Sequence, residues 1–179
     1  LSRFAVNAVA GNILNRDSLL KAVPEKVDVV FHLAGDTSTW SKNNDRQYRI
    51  NVEGTINMLD AAVEKKAGRF IYTSSISAFG FHDGPVSEET VSTAMQSGVN
   101  YHKTKFLAEQ EVKKRAEKLQ TVILNPCNVI GPYDRINWAQ TIKTVYQDKL
   151  SGYPPGIGTF AHVKDIVRAH IRAAEKEAL

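Results

Sequence analysis

Apolar positions fall along this chain in two kinds of run, and the two kinds alternate. Residues 27–33, 69–74 and 121–125 are short continuous apolar stretches with β-branched content, the pattern of strands covered on both faces of a parallel sheet. Between them the apolar positions recur with helical spacing. Val52, Ile56, Leu59 and Val63 make one stripe; Ala108, Val112, Ala116 and Leu119 make another. Steps of three and four residues put each set on one helix face. A last helix is expected over 165–178, with Ile166, Val167, His170, Ile171 and Ala174 on or near one face. Residues 7–23 read more weakly as a strand at Ala8-Val9-Ala10, a turn at Gly11-Asn12 and a helix from Asp17. This alternation predicts βαβ units with right-handed crossovers, hence an α/β, doubly wound parallel sheet with helices on both faces. Ligands of such sheets gather at the carboxyl ends of strands, where Ala34, Ser75 and Asn128 fall.

Residues 133–160 break the pattern. Gly152, Pro154, Pro155, Gly156 and Gly158 suggest a long loop around one helix at 138–149. The loop lacks the G-x-x-x-x-G-K-S/T spacing of a phosphate cradle, and its prolines remove backbone donors such a cradle needs. Residues 133–158 therefore read as a substrate-side excursion from a main domain formed by 1–132 and 159–179.

The candidate chemistry lies at Tyr101 and Lys105, four residues apart and so on one face of their helix. The strand at 69–74 runs into the hydroxyl-rich end Thr73-Ser74-Ser75. A phenol, an ammonium and a hydroxyl converging at a strand's carboxyl end make a proton-transfer site for carbonyl or alcohol chemistry. A phenol ordinarily titrates near pH ~10. A neighbouring cation favours the phenolate and lowers that value, and Lys105 is placed to supply it. The Y-x-x-x-K spacing alone is weak, since both residues are common on helices.

With 179 residues, 42% hydrophobic and 23% charged, the chain suits one soluble domain with a real core. No apolar run approaches the roughly 20 residues that span a bilayer, and no secretory leader is recognisable. The single cysteine, Cys127, excludes an internal disulfide and suits a reducing, cytoplasmic compartment. It reads as a small buried hydrophobe. The net charge of +4 is dispersed. Lys113-Lys114-Arg115 is flanked by Glu109, Glu111 and Glu117, a solvated helix face, so neither nucleic acid nor membrane is an expected partner. No His/Cys/Asp set has metal-ligand spacing, and no metal is expected. His32 reads as a core residue, and His162 and Asp165 as ties between the returning chain and the sheet. Trp40, Tyr133, Asp134, Arg135 and Trp138 are candidates for lining a substrate pocket. The chain starts at Leu1 rather than Met and reads as a fragment.

Seven segments then appear in a familiar order. They are Gly11-Asn12-Ile13, Phe31-His32-Leu33-Ala34-Gly35, Asn51-Val52-Glu53-Gly54-Thr55, Tyr72-Thr73-Ser74-Ser75-Ile76-Ser77-Ala78-Phe79-Gly80, Tyr101-His102-Lys103-Thr104-Lys105, Asn125-Pro126-Cys127-Asn128-Val129-Ile130-Gly131-Pro132 and His162-Val163-Lys164-Asp165-Ile166. In this order, across nearly the whole chain, they resemble the extended short-chain dehydrogenase/reductases, the NAD-dependent epimerase/dehydratase family. Gly131-Pro132-Tyr133-Asp134 with Asn137-Trp138 is more similar to the dihydroflavonol-reductase-like branch than to the sugar epimerases.

The resemblance implies a Rossmann-like, dinucleotide-binding domain using NAD or NADP on a small carbonyl or alcohol substrate. Tyr101 would be the general acid/base. Lys105 would lower its pKa and hydrogen-bond the nicotinamide ribose, and the charged ring of an oxidised nicotinamide would lower that pKa further. Ser75 would orient the substrate oxygen, with Ser74 and Ser77 as nearby alternatives, and Asn51 would support the proton relay. Leu33, Ala34 and Gly35 would pass along the ribose and pyrophosphate, where small residues let backbone approach. Asn12 and Ile13 would flank the adenine, and Thr73, Ser74, Pro126, Asn128 and Val129 would complete the cofactor contacts. The glycine-rich turn of the family and its first βαβ unit would precede Leu1 by roughly 55 to 65 residues, taking with them the residue that separates NAD from NADP. Part of the C-terminal substrate lobe would follow Leu179. Reductase and epimerase/dehydratase remain alternatives, as does a non-catalytic NAD(P)-sensing module. The resemblance also implies a homodimer paired through the Tyr101-bearing helix.

Overall fold

The computed structural model describes residues 5–135, 137–152 and 158–176. The chain divides into two compact units, Leu1–Asn125 and Pro126–Leu179. The division falls inside the stretch that the apolar pattern groups as one domain.

In the first unit, β1 (Val29–His32), β2 (Arg69–Thr73) and β3 (Gln120–Leu124) form a parallel sheet in that order. Val30 stands beside Phe70, and Phe70 beside Thr121. All three strands lie within two residues of the apolar runs that predict them. The central strand is the most apolar: Phe70, Ile71 and Tyr72 are at most 1% exposed. Phe70 and Tyr72 are two residues apart and so share a sheet face. Against that face pack Leu59 and Ala62 of α3 (Gly54–Glu64) and Ala108 and Val112 of α4 (Asn100–Lys114). The two helical stripes of the sequence thus converge on one core. Leu119 joins it from the turn beyond α4, where the helical spacing had continued.

Two expectations for this unit differ from the structure. The first helix, α1 (Arg16–Ala22), begins one residue before Asp17 and is capped by the Asn15 side chain, which accepts from the Ser18 amide. The strand at Ala8-Val9-Ala10 does not form: residues 5–12 have no regular structure, and Val6 and Val9 are about half exposed. A strand persists only where a neighbour satisfies its backbone groups, and among the described residues none pairs with this one. Before α3 the helix is not uniform. A 3-10 turn (Ser41–Asn43), α2 (Asn44–Tyr48) and a π-helical turn (Arg49–Glu53) run continuously into it.

In the second unit, β4 (Asn128–Ile130) and β5 (Phe160–His162) pair in parallel, with α5 (Trp138–Tyr146) between them in sequence and α6 (Val163–Glu175) following. The His162 imidazole accepts from the Lys164 amide and caps α6. Asp134 accepts from the amides of Asn137 and Ala139, so it holds the start of α5. Trp138 meets Phe160 edge-on at 4.8 Å, and both line an apolar cavity of about 380 Å³ with Ile130, Ile142 and Val145. Pro154, Pro155 and Gly156, expected in a loop, lie outside the described residues, as does Ala178. Among the described residues no helix is long and apolar enough to cross a membrane.

Gly80 closes the short 3-10 turn (Ile76–Phe79) after β2 at φ 81°, ψ −149°, a region open essentially only to glycine. A Cβ there would stand 2.4 Å from the Thr93 hydroxyl and 2.7 Å from the Ala94 amide. Gly80→Ala should lower unfolding stability by about 3 kcal/mol. An unchanged urea midpoint would contradict this reading of the turn.

Candidate active site

The carboxyl end of β2 carries Thr73, Ser74 and Ser75, and α4 lies across it. Ser75 is extended, and its hydroxyl accepts from the Ser77 amide, capping the turn that follows. The Tyr101 phenol of α4 lies near the Ser75 side chain. One helical turn later Lys105 sends its Nζ to the Thr73 carbonyl at 2.8 Å and over the Tyr72 ring at 4.4 Å. Only 4% of Lys105 is exposed. Ser75 and Tyr101 are thus brought near each other, and Lys105 reaches the same strand end at Thr73. Ser74 faces the other way: it is buried and donates to Glu109. Of Ser74 and Ser75, it is Ser75 whose hydroxyl lies near Tyr101.

Burial governs the electrostatics. It raises the Tyr101 phenol above its ordinary value, with the nearby Ser75 hydroxyl opposing. It lowers Lys105 to about 8, with the charge of Glu109 opposing. The expected lowering of Tyr101 by Lys105 does not dominate here, because the ammonium faces a carbonyl and a ring rather than the phenol.

Asn51 sits in the π turn, 1% exposed. Its side-chain oxygen accepts from the Asp36 amide at 2.7 Å, and its amide donates to the Asp36 carbonyl and to Thr104 of α4. The buried Gln47 adds bonds to the Asp36 and Ser38 carbonyls. The loop after β1 is thereby fastened to α2 and, through Asn51, to α4. At its start Leu33, Ala34 and Gly35 are exposed at the strand's end. Ile13 packs against Gly54, where a Cβ would come within 2.9 Å of it. Gly54 precedes Thr55, whose hydroxyl meets His32, the last residue of β1. Ile13 and the exposed loop thus flank the same sheet end. The Asn12 side chain is engaged locally, accepting from the Leu14 amide. Asn128 bonds the Thr159 carbonyl inside the second unit, which also holds Pro126 and Val129. Trp40 and Tyr133 are exposed.

His32 is 2% exposed and lies 5.6 Å from the rings of both Phe70 and Tyr72. Thr55 donates its proton to the Asn51 carbonyl, so its oxygen accepts from His32 Nε2, which assigns the proton to that nitrogen. Burial, helped by nearby Lys105, lowers the His32 pKa to about 4. Unfolded, it titrates near ~6.5. Between those values the unfolded chain binds a proton that the folded chain lacks, so stability falls as pH drops through the window, by about 3 kcal/mol in total. His32→Gln should flatten that slope in urea midpoints measured across the window. Equal slopes in both proteins would refute the assignment.

Two contributors escaped the sequence reading. Glu109, expected on a solvated face, is 5% exposed. Asn125 donates both to Glu109 and to the Ser75 carbonyl. The available signal was the spacing: Glu109 follows Lys105 by four residues, as Lys105 follows Tyr101. Among the described residues no group of three or more His, Cys, Asp or Glu could hold a metal ion.

Residues 2–179 match the model of the NAD dependent epimerase/dehydratase family. The chain belongs to that family. Curated relatives of this epimerase/dehydratase chain include a putative dihydroflavonol 4-reductase from Synechocystis sp., 32% identical over 153 residues, 82% of this chain and 44% of that protein. The 3beta-hydroxysteroid-dehydrogenase/decarboxylase isoform 1 of Arabidopsis thaliana is 30% identical over 176 residues, 94% of this chain and 39% of that protein. Among solved structures, a UDP-glucuronic acid 4-epimerase mutant from Bacillus cereus, in complex with UDP-4-deoxy-4-fluoro-glucuronic acid and NAD, aligns with a TM-score of 0.81 at 27% identity, covering 93% of this chain and 55% of that one. The chain thus spans about half the length of these proteins, or less. The Rossmann-like α/β fold expected from the motifs stands.

Proposed function

We propose that the protein carrying this chain is an NAD(P)-dependent oxidoreductase acting on a small carbonyl or alcohol substrate through Ser75, Tyr101 and Lys105. The observation that carries this reading is that Tyr101 lies near Ser75 at the carboxyl end of β2, while Lys105, one helical turn on, bonds the Thr73 carbonyl of the same strand. The residues fit a dinucleotide. An ammonium has three N–H donors, and the Lys105 bond to Thr73 uses one, which leaves capacity for ribose hydroxyls. The exposed Leu33-Ala34-Gly35 backbone suits a closely laid phosphate or ribose, and NAD is present in the related epimerase structure. Asn12, Ile13 and Thr73 complete the proposed contacts in the first unit.

Bound NAD(P) would supply the hydride chemistry. Tyr101 Oη gives its proton to the substrate oxygen in reduction and takes it in oxidation. Its upward-shifted pKa keeps it an acid at neutral pH. Ser75 Oγ orients the same oxygen. Lys105 offers its remaining N–H donors to the cofactor, and Asn51 fixes the loop along which the cofactor would run. A homodimer paired through α4 belongs to the same reading, with Phe106 and Leu107 half-buried on that helix.

Epimerisation on the same site is the second reading, favoured by the structural likeness to a sugar-nucleotide epimerase. Spectroscopic titration of NADH and NADPH against carbonyl substrates separates the two. A reductase consumes the reduced cofactor stoichiometrically, whereas an epimerase ends each cycle with it unchanged. Binding without turnover of any kind would leave only a cofactor-sensing module.

A further inference from the structure

Glu109 is a carboxylate in an expensive place. It is buried on α4, one turn beyond Lys105, and a buried charge persists only where partners satisfy it. Its Oε1 accepts from the hydroxyl of Ser74, after β2, and from the amide of Asn125, after β3. Asn125 also donates to the carbonyl of Ser75, the residue whose side chain lies near the Tyr101 phenol. One carboxylate oxygen therefore joins two strand ends to the helix that carries Tyr101 and Lys105.

We propose that Glu109 is a positioning residue of this site, fixing the Ser74–Ser75 segment through its bonds to Ser74 and Asn125 and setting its charge one helical turn from Lys105. The inference rests on the Ser75, Tyr101 and Lys105 reading above. Burial alone drives Lys105 toward losing its proton, and Glu109 opposes this. The other titratable groups around the pair add no negative charge near neutral pH. His32 of β1 is neutral there, Tyr72 of β2 is raised by burial, and Tyr101 is raised likewise. Asp60 of α3, which packs on α4, is paired with Arg115 farther along. Charge and hydrogen bonding can be separated, because a glutamine at 109 keeps an acceptor oxygen for Ser74 and Asn125 but carries no charge.

The test is the titration of Lys105 in the full-length protein, followed by NMR at its ε-carbon and assigned by loss of the signal in Lys105→Met. Glu109→Gln should move the midpoint down by about one pH unit and shift the alkaline limb of the turnover profile with it. Should that variant not fold, Glu109→Asp withdraws the charge by one methylene and should move the midpoint the same way by a smaller step. An unmoved midpoint in the folded variant overturns the proposal. A moved midpoint alongside undiminished turnover in Tyr101→Phe would instead retire the catalytic reading and leave the Glu109–Lys105 coupling standing.

Discussion

Tyr101→Phe is expected to lower turnover by about 10²–10⁴-fold, the usual worth of a positioned general acid or base, while dinucleotide affinity stays nearly unchanged. The substitution removes one oxygen and leaves the buried ring, so packing on α4 survives. Ser75 keeps its bond from the Ser77 amide, and the turn after β2 has no reason to move. The loss therefore falls on the proton transfer alone, and it should appear in kcat rather than in cofactor binding. Single-turnover kinetics with saturating cofactor would read it directly. Turnover equal to the wild type would remove Tyr101 from the mechanism, whatever the family resemblance suggests.

Lys105→Met should have a different signature, in which affinity and turnover fall together. The ammonium is the one cation among the three converging groups, and hydrogen bonds to charged groups contribute about 1.5–3 kcal/mol each. Loss of one such bond to the cofactor corresponds to roughly 10- to 100-fold in dissociation constant. Turnover should drop as well, because the cofactor loses a donor that positions it and the Thr73 carbonyl, two residues before Ser75, loses its own. Isothermal titration with NADH, paired with kcat for the same sample, distinguishes this double loss from the single loss at Tyr101. A variant that binds cofactor as well as the parent would place Lys105 outside the cofactor site.

The parts of the fold that could be read in advance are those where burial leaves a periodic trace. The run at 69–74 is apolar because β2 is covered on both faces, and Leu59 and Val112 keep helical spacing because their helices share one core. β4 and β5 left no such trace: β4, between Pro126 and Gly131-Pro132, and β5, which runs straight into α6, have three residues each, too few to show a period. Ala8-Val9-Ala10 erred the other way, since a short apolar run suggests a strand but does not supply its pairing partner. In the site, Tyr101, Lys105 and Ser75 were legible because helix spacing and a strand's end fix where such side chains go. Glu109 obeyed the same spacing but stood close to Lys113-Lys114-Arg115, and charge pattern alone does not tell a wet face from a buried one. The π turn around Asn51 was invisible, because apolar spacing resumes on either side of it.

That turn has a consequence of its own. A π-helical turn holds about one residue more than an α-helical turn, and one residue corresponds to roughly 100° of rotation about the helix axis. The angular offset between Asn51, which serves the loop after β1, and Leu59, which serves the core, is therefore set by a single residue of slack within Arg49–Glu53. Functional register and packing register along this helix are separately adjustable. Relatives that gain or lose one residue at this point can keep the same core while presenting a different side chain to the loop, and an alignment drawn straight through the helix would pair the wrong positions on one side of it.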